Sequence, residues 1–532
     1  MLSGWLVREA RAVNVTSWWR LASVPRLING LLLAAASLSL LGFAIAGVLR
    51  VMYPYPLDRT EETSIQVLRE IMQGHPAYGP PTLSFVPVVY PPLYFYIAAA
   101  VSVVTGGALV PLRLVSLVSS LLGAAVIAGL VGRETKNWTL GLVSAAVFAG
   151  STHISLTSLD LGRVDALGVA WMLGALYAAR TADLRPRVAA RVSGLAGLLA
   201  GLAVITKQTN VVFAAALLAY AAVQPRQRLL PFGLALAATI GLPLLALYAQ
   251  VGDWLRFYLI ELPSLRMLEE PHLDTFWTAN IFPAFTLPLA IGPIYLIGRL
   301  ARGELRSAGF FALASATLLC LAWGGWVARG AAPNVLEPAY AILSVLFGLG
   351  IWEATTLLAE RTRQHAVLRN YFLAMCLGQF VILGYNPRAT VPLRSDGWAS
   401  ERLVATIATL PGTVLAPDYG EWARAAGKGD QPATGALLEL TGAFASSPTA
   451  TGNQWRAELG SALQARKYDY VLWNPRSDAT VLKSLIDGAH YVNTGSLFKA
   501  QDKFNEWKTA TTPDAEVYVP AERAPAESTK GG

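Results

Sequence analysis

Three carboxylates, Asp58, Glu61 and Glu62, lie close together directly after a long apolar run. A carboxylate at a membrane surface can act as a general base that takes the proton from an attacking hydroxyl group. A structural role fits the same pattern, because Asp58 and Glu61 have the spacing of a helix N-cap and its reciprocating N3 carboxylate. The spacing is compatible with both interpretations. Apolar residues at helical spacing from Ile65 to Met72 predict a short amphipathic helix after the acids.

A second group of ionisable residues, Arg163 and Asp165, lies where the chain enters another apolar run. A charge at the edge of a membrane-spanning segment is costly unless it is paired or functional. One interpretation is a local ion pair between these two residues, combined with helix capping. Their position favours the other interpretation, in which they contact a substrate or a catalytic group.

Two further cations could bind an anion. Lys207, followed by Gln208, interrupts a long apolar stretch, and no acid neighbours it in the sequence. Such a lysine can extend its ammonium group to the interface, or it can bind an anionic ligand. Arg329 precedes Asn334 and Glu337 on a loop shaped by Gly and Pro. Because a guanidinium can donate two parallel N–H groups to a phosphate, Arg329 is suited to phosphate binding.

The composition places these residues in a membrane protein. Of 532 residues, 54% are hydrophobic and only 14% are charged, and the mean hydropathy is +0.45. Apolar runs of about 20 residues are long enough to cross a bilayer as helices. The net charge of +8 is attributed first to Lys and Arg residues in cytoplasmic loops, which set the topology of membrane proteins. We therefore predict an α-helical polytopic membrane protein without a nucleic-acid partner.

The cysteines and histidines indicate neither a disulfide framework nor a metal site. Cys320 and Cys376 both lie inside apolar runs and belong to no paired motif. The five histidines are scattered without metal-ligand spacing. We predict no metal and no cofactor, and we retain only His272 among the histidines as a substrate contact.

About eleven membrane-spanning helices are predicted, preceded by a cytoplasmic N-terminal segment over residues 1–27. The segment 90–104 is treated as an interfacial or re-entrant helix of the first outer loop, 51–113. Counting it as a span would move the later basic loops from the inner side to the outer side. With this assignment most acids fall on the extracytoplasmic face of the cell (inner) membrane. The predicted spans lie near 28–49, 114–131, 138–157, 166–180, 192–206, 210–223, 230–249, 281–298, 307–325, 338–358 and 370–385.

The composition changes after Tyr385, where the apolar runs end. Strand and helix patterns alternate from residue 386 to residue 518, which predicts a small α/β domain on the extracytoplasmic side. Residues 519–532 have the composition of a disordered tail. The transmembrane domain is accordingly predicted to span residues 28–385.

The ordered set of motifs resembles the GT-C superfamily of glycosyltransferases that use polyprenyl-phosphate sugars. The set comprises the acid-bearing first loop, YPPLYFY at 90–96, R-x-D at 163–165, TKQT at 206–209 and RG-x-x-x-N-x-x-x-P at 329–338. It looks most similar to the branch of protein O-mannosyltransferases and lipid A aminoarabinose transferases. Those enzymes usually open the first loop with an adjacent Asp-Glu pair, whereas this chain has LDRTEE. The resemblance implies a GT-C fold, a lipid-phosphate sugar donor and sugar transfer on the outer face.

The chemistry of such a donor implies specific roles. Breaking the anomeric C–O bond to a phosphate leaves negative charge on the phosphate, which cations stabilise, while a carboxylate takes the acceptor proton. Direct displacement would invert the anomeric configuration. The expected base is a first-loop acid, Glu61 before Asp58 or Glu62, and Asp165 orients the acceptor or that base. The expected donor-phosphate ligands are Lys207, Gln208 and Arg329, and the expected substrate contacts are Tyr90, Tyr94, Arg163, His272, Asn334 and Glu337.

Two other function classes share some of these features. A transporter or flippase of a lipid-linked sugar also carries ionisable residues within its membrane region. It would need polar residues deep inside the spans, whereas the charges here cluster at one face. A non-catalytic glycan-binding or glycan-assembly protein would use residues 386–532 as its working part. The expected partners are a lipid-linked sugar donor, membrane lipids and an acceptor glycan, lipid or protein.

Overall fold

Long apolar helices form the first part of the chain in the computed structural model, which describes residues 16–358, 363–497 and 515–524. A membrane offers no hydrogen-bond partners to the backbone, so a helix, which satisfies its own backbone groups, is the structure that such runs adopt. The chain is an integral membrane protein. Eight helical segments in the described residues are long and apolar enough to cross a membrane: Arg26–Val51, Leu109–Thr135, Pro186–Thr206, Arg226–Val251, Glu270–Ala301, Leu305–Trp326, Pro333–Leu357 and Gln364–Thr390.

The order of the main helices follows the predicted spans. Two short helices of the first loop follow the first long helix, and the last helix of the series begins the final apolar segment, Gln364–Thr390. The main helices are α1 (Thr16–Val51), α2 (Arg59–Met72), α3 (Leu93–Thr105), α4 (Leu109–Thr135), α5 (Trp138–Gly150), α6 (Asp165–Leu184), α7 (Ala189–Thr206), α8 (Val211–Ala222), α9 (Arg226–Val251), α10 (Phe282–Ala301), α11 (Leu305–Trp326), α12 (Glu337–Leu357) and α13 (Arg363–Cys376).

Each predicted span coincides with a helix, but three of these helices are not among the eight long apolar ones. Helix α5 has only 13 residues and α8 has 12, fewer than the roughly 20 that cross a bilayer. Helix α6 has 20 residues but includes Asp165 and Arg180. The count of eleven spans therefore stays a prediction. Helix α12 lies at the centre of the bundle, since 89% of its apolar stretch is buried.

The first loop contains the predicted amphipathic helix, α2. Asp58 is its N-cap, and Oδ1 of Asp58 accepts a hydrogen bond of 2.6 Å from the backbone N–H of Thr60. The expected reciprocal bond differs by one residue, because Glu61 accepts from the backbone N–H of Leu57 at 2.8 Å and not from that of Asp58. Helix α3 has 13 residues and starts after Pro92, as predicted for the short segment near 90–104.

The C-terminal region is the predicted small α/β domain. Its four-stranded sheet has the order β1-β2-β4-β3, in which β1 and β2 are parallel and the other two pairings are antiparallel. Strand β4 ends at Pro520 and is followed by a short turn of helix, so the predicted tail at 519–532 begins with ordered residues, and its remainder, 525–532, lies outside the described residues. The main elements are α14 (Arg394–Thr409), β1 (Val414–Leu415), α15 (Thr434–Leu440), α16 (Ala450–Gln464), β2 (Tyr470–Trp473), α17 (Thr480–Gly488), β3 (Tyr491–Ser496) and β4 (Glu516–Pro520).

The C-terminal domain packs directly on helix α2 of the first loop. Arg69 donates from both Nη atoms to the carboxylate of Glu421, one of these bonds being 2.7 Å long. Gln66, one helical turn earlier, donates to the backbone carbonyl of Gln431. Because α2 also carries the first-loop acids, this packing brings the domain to the edge of the region that those acids occupy.

Candidate functional site

Two adjoining cavities lie where the first loop, the membrane helices and the C-terminal domain meet. The polar cavity, about 380 Å³, is lined by charged and hydroxyl-bearing residues that include Asp58, Arg59 and Arg163. The apolar cavity, about 410 Å³, lies between membrane helices and includes Met172 and Leu321 in its wall. Six residues line both cavities and define their junction: Val89, Tyr90, Asp165, Arg266, Asn334 and Val335.

Asp58 is the only first-loop acid of the three candidates that lines the polar cavity within the described residues. Its carboxylate accepts a hydrogen bond from Nη2 of Arg163, and both side chains are more than nine-tenths buried. Burial alone would raise the pKa of Asp58, but the charge of Arg163 and the bond from Thr60 outweigh it and lower the pKa. Asp58 is therefore ionised at neutral pH and can accept a proton.

Glu61 is fully buried and its carboxylate is completely engaged. Arg113 donates to both oxygens, from Nε at 2.8 Å and from Nη2 at 2.7 Å. The backbone N–H groups of Leu57 and Gly162 each add a bond of 2.8 Å. Neither cavity wall, as far as the structure describes it, includes Glu61. The carboxylate thus joins α2, α4 and the loop before α6.

Glu62 lies near two carboxylates of the C-terminal domain, and the described walls of the two cavities do not include it. It is buried, and in the described part of the chain neither of its carboxylate oxygens has a hydrogen-bond partner. Burial raises the pKa of Glu62 well above its ordinary value, and the nearby carboxylates of Glu421 and Asp418 raise it further. The protonated form of Glu62 is favoured in this environment.

Asp165 and Lys207 form an ion pair at the junction of the cavities, with Oδ1 and Nζ 2.6 Å apart. The acid that pairs with Lys207 thus lies 42 residues earlier in the chain, which corrects the expectation, drawn from sequence neighbours alone, that Lys207 has no acid beside it. Burial alone would lower the pKa of Lys207, but Asp165 and Tyr90 outweigh it, so the pKa is raised and the ammonium stays charged. The alternative of a local pair between Arg163 and Asp165 is wrong, since each pairs with a residue from another segment.

The hairpin that carries Lys207 also fixes the segment around Tyr90. Gln208 donates from Nε2 to the backbone carbonyl of Val89 at 2.6 Å. Nζ of Lys207 lies 5.8 Å from the centroid of the Tyr90 ring. Asn334, from the loop before α12, completes the junction. Of the expected ligands, the structure therefore brings Lys207, Gln208, Tyr90 and Asn334 together.

Arg266 is a junction residue that sequence analysis missed. It lines both cavities, and its guanidinium donates to Oε1 of Glu439 in the C-terminal domain. Two backbone hydrogen bonds of 2.8 Å fix the next residue, Met267. Its N–H donates to the carbonyl of Phe444, and its carbonyl accepts from the N–H of Arg329. The sequence signal of Arg266 is weak, because it is one of two arginines, with Arg256, in an outer loop whose other charged residues are acids.

Four other expected site residues lie away from the described walls of the two cavities. Arg329 is about half exposed, and its Nε is 3.9 Å from Glu269. His272 stacks on Trp326 and contacts its backbone carbonyl at 2.8 Å. Tyr94 is buried and donates to the carbonyl of Leu112 at 2.7 Å.

Glu337, the fourth of these residues, begins helix α12 behind the junction. It is fully buried and accepts a hydrogen bond of 2.5 Å from Oγ of Ser158. Asn334 and Pro338, its neighbours in the chain, both line the apolar cavity. Glu337 therefore supports the wall of the junction from behind.

Known proteins share this architecture. The family described as dolichyl-phosphate-mannose-protein mannosyltransferase matches residues 89–248, a stretch that contains Arg163, Asp165 and Lys207. The crystal structure of ArnT from Cupriavidus metallidurans bound to undecaprenyl phosphate is similar at a TM-score of 0.56 and 12% identity, covering 93% of this chain and 99% of ArnT. Its apo state gives a TM-score of 0.53 at 13% identity, with the same coverage. No curated protein sequence matches the chain.

At this level of identity the likeness to ArnT shows a shared fold. The predicted resemblance to the GT-C superfamily is confirmed in that fold, and so is the prediction of a helical membrane protein with a small α/β domain. The roles of the individual site residues stay predictions.

Proposed function

Because the chain has the GT-C fold, we propose that it transfers a sugar from a polyprenyl-phosphate donor to an acceptor hydroxyl. The observation that carries the proposal is the junction at which an apolar cavity between membrane helices opens to a polar cavity. Lys207 and Arg266 line the apolar side, and Asp58 lines the polar side. A lipid-linked sugar has its chemical groups in the matching order: an apolar chain, a phosphate and a polar ring.

The donor lipid would occupy the apolar cavity. Its wall contains Met172, Val211 and Leu321, which suit an isoprenoid chain. The phosphate would then lie at the junction, within reach of Lys207 and Arg266. Charge-assisted hydrogen bonds from two cations stabilise a phosphate oxyanion, and they strengthen as negative charge develops on the leaving group.

The acceptor would be activated by Asp58. The acceptor oxygen attacks the anomeric carbon, the anomeric C–O bond to phosphate breaks, and Asp58 takes the hydroxyl proton. Arg163 fixes the carboxylate of Asp58, while Asp165 fixes the ammonium of Lys207. A single displacement of this kind inverts the anomeric configuration. No step described here assigns a role to a metal, and the expectation of a metal-free reaction stays a prediction.

The membrane orientation is part of the proposal. Lys and Arg residues concentrate in the loops opposite the cavities, which indicates that those loops are cytoplasmic. The two cavities and the C-terminal domain would then face the extracytoplasmic side of the cell membrane.

Reconstitution with a labelled donor tests the proposal. The purified chain in lipid nanodiscs would be incubated with radiolabelled polyprenyl-phosphate sugars and an extract of cell-envelope acceptors. We expect sugar transfer together with release of polyprenyl phosphate. Movement of intact donor between the leaflets of proteoliposomes, without sugar transfer, would contradict the proposal and favour a flippase.

A further inference from the structure

The C-terminal domain forms one wall of the polar cavity. Residues from helix α15 and its flanks, among them Gly435, Leu438 and Glu439, face the first-loop helix across the cavity, and Asp478 lies at the rim. Thr63 on α2 lies directly opposite Gly435, so closely that a Cβ at position 435 would be 2.8 Å from the Thr63 hydroxyl. The domain is therefore an integral part of the cavity.

Every charged side chain that lines the described wall of the polar cavity is paired with a charge of opposite sign. The four pairs contain four acids and four cations, of which Lys207 lines only the apolar cavity, so the wall of the polar cavity itself carries four acids and three arginines. Two of the acids, Glu439 and Asp478, come from the C-terminal domain. The pairs are Asp58 with Arg163, Asp165 with Lys207, Arg59 with Asp478 and Arg266 with Glu439.

Uncharged hydrogen-bonding groups remain available in the same wall. The hydroxyl of Thr63 is buried and has no hydrogen-bond partner among the residues that the structure describes. Side-chain hydroxyls of Thr60 and Ser64 also line the cavity. Hydroxyl groups of a sugar ring both donate and accept hydrogen bonds, so such a ring could satisfy these groups without disturbing any ion pair.

We infer that the C-terminal domain makes the polar cavity selective for an uncharged, hydroxyl-rich sugar, because Glu439 and Asp478 neutralise the cations that would otherwise attract an anionic ring. The inference rests on the proposed function, in which the donor sugar occupies this cavity. An ammonium or carboxylate on the ring would have to compete for a group that is already paired. Breaking a mostly buried pair leaves its other member without compensation, which is strongly unfavourable.

Three donors whose sugar carries no charge, a carboxylate at C6 or an ammonium at C2 test the inference. Polyprenyl phosphate carrying glucose, glucuronic acid or glucosamine would compete with fluorescent polyprenyl phosphate for the full chain in nanodiscs. The glucosyl donor should bind roughly tenfold more tightly than either charged donor, as expected when one charged hydrogen bond must be given up. Equal or tighter binding of a charged donor would overturn the inference.

Glu439→Gln tests the part played by the C-terminal domain. This change keeps the shape of the side chain and leaves Arg266 without its acid, so the preference for the glucosyl over the glucuronosyl donor should fall by roughly tenfold. Asp478→Asn should shift the preference in the same direction but by less, because the Asp478 side chain is 59% exposed and Arg59 also lies 3.9 Å from Asp418. This variant serves if Glu439→Gln does not fold. Asp487→Asn is the matched control, because Asp487 pairs with Lys483 on α17 and should leave the preference unchanged. An unchanged preference in both cavity variants would overturn the inference.

Bare polyprenyl phosphate separates this inference from the proposed function. It should bind more tightly than polyprenol, which lacks the phosphate, whatever the sugar preference. If it binds but the charged donors are not disfavoured, only the selectivity is wrong. If it binds no better than polyprenol, the proposed donor site itself is wrong and the inference fails with it.

Discussion

The guanidinium of Arg113 binds both carboxylate oxygens of Glu61, at 2.8 and 2.7 Å, with both side chains fully buried. The same guanidinium donates to the backbone carbonyls of Arg50, Tyr53 and Tyr55. One ion pair thus fastens the end of helix α1 and the start of α2 to α4. Glu61, which sequence analysis ranked first as the base, accepts more hydrogen bonds in the described structure than Asp58 or Glu62 does.

Glu61→Gln should destabilise the protein. The amide cannot accept from Arg113 at both oxygens, and a buried guanidinium loses its counter-charge, a loss that typically costs about 3–5 kcal/mol. Thermal unfolding in detergent would measure the effect. Glu458→Gln, an exposed change on α16, should leave the unfolding temperature nearly unchanged. A stable Glu61→Gln protein that has lost only turnover would support Glu61 as the base.

Glu62→Gln should raise stability at neutral and alkaline pH. Burial raises the pKa of Glu62 in the folded chain, so folding favours the protonated acid. The contribution of Glu62 to the stability of the wild type is then fully present below the ordinary Glu pKa of about 4.3. It is lost as the pH rises from there through the raised pKa of the folded state. The variant should lack this component of the pH dependence. Equal pH profiles of unfolding temperature for variant and wild type would contradict the account.

Lys207→Met and Arg266→Lys should weaken binding of polyprenyl phosphate. Losing a charged hydrogen bond worth about 1.5–3 kcal/mol lowers affinity by roughly tenfold or more, and lysine cannot reproduce the guanidinium fork. Arg329→Lys tests the residue that sequence analysis favoured. It should have little effect, because Arg329 is about half exposed. The reverse order, in which Arg329→Lys weakens binding and Arg266→Lys does not, would exclude the proposed phosphate site.

Cysteine labelling should reveal the orientation. In a Cys320→Ser, Cys376→Ser background, a cysteine introduced at the exposed Ser446 should react with a membrane-impermeant thiol reagent in intact cells or spheroplasts. A cysteine at Ala190, which is exposed in the first turn of α7, should react only after permeabilisation. The opposite pattern would reverse the proposed orientation.

Sequence patterns predicted the helices well because apolar length and helical periodicity are local properties. The pairing of charges depends instead on which segments meet in space. Arg266 and Glu439 are 173 positions apart, and Asp58 and Arg163 are 105 apart. A single sequence therefore showed that these residues were charged and near the interface, but it gave no means of pairing them. For the same reason Arg266 was missed.

The three first-loop acids also show that spacing in the sequence does not reveal which groups surround a side chain. Their spacing gave equal support to capping and to catalysis, and the structure separates them by environment. Asp58 caps α2 and also faces the polar cavity, Glu61 is engaged by Arg113, and Glu62 lies near two carboxylates of the C-terminal domain. The capping interpretation applies to Asp58, whose Oδ1 accepts from Thr60 and whose Oδ2 accepts from Arg163, and the role of Asp58 as the base stays a proposal.

Turnover and donor binding, measured on one preparation of Asp58→Asn, test the central claim most directly. The substitution removes the proton acceptor but leaves Lys207, Arg266 and the apolar cavity in place. Sugar transfer should fall by a factor on the order of 100 to 10,000 while the affinity for the polyprenyl-phosphate sugar stays close to that of the wild type. Near-normal transfer by Asp58→Asn, with the donor bound as in the wild type, would contradict the account.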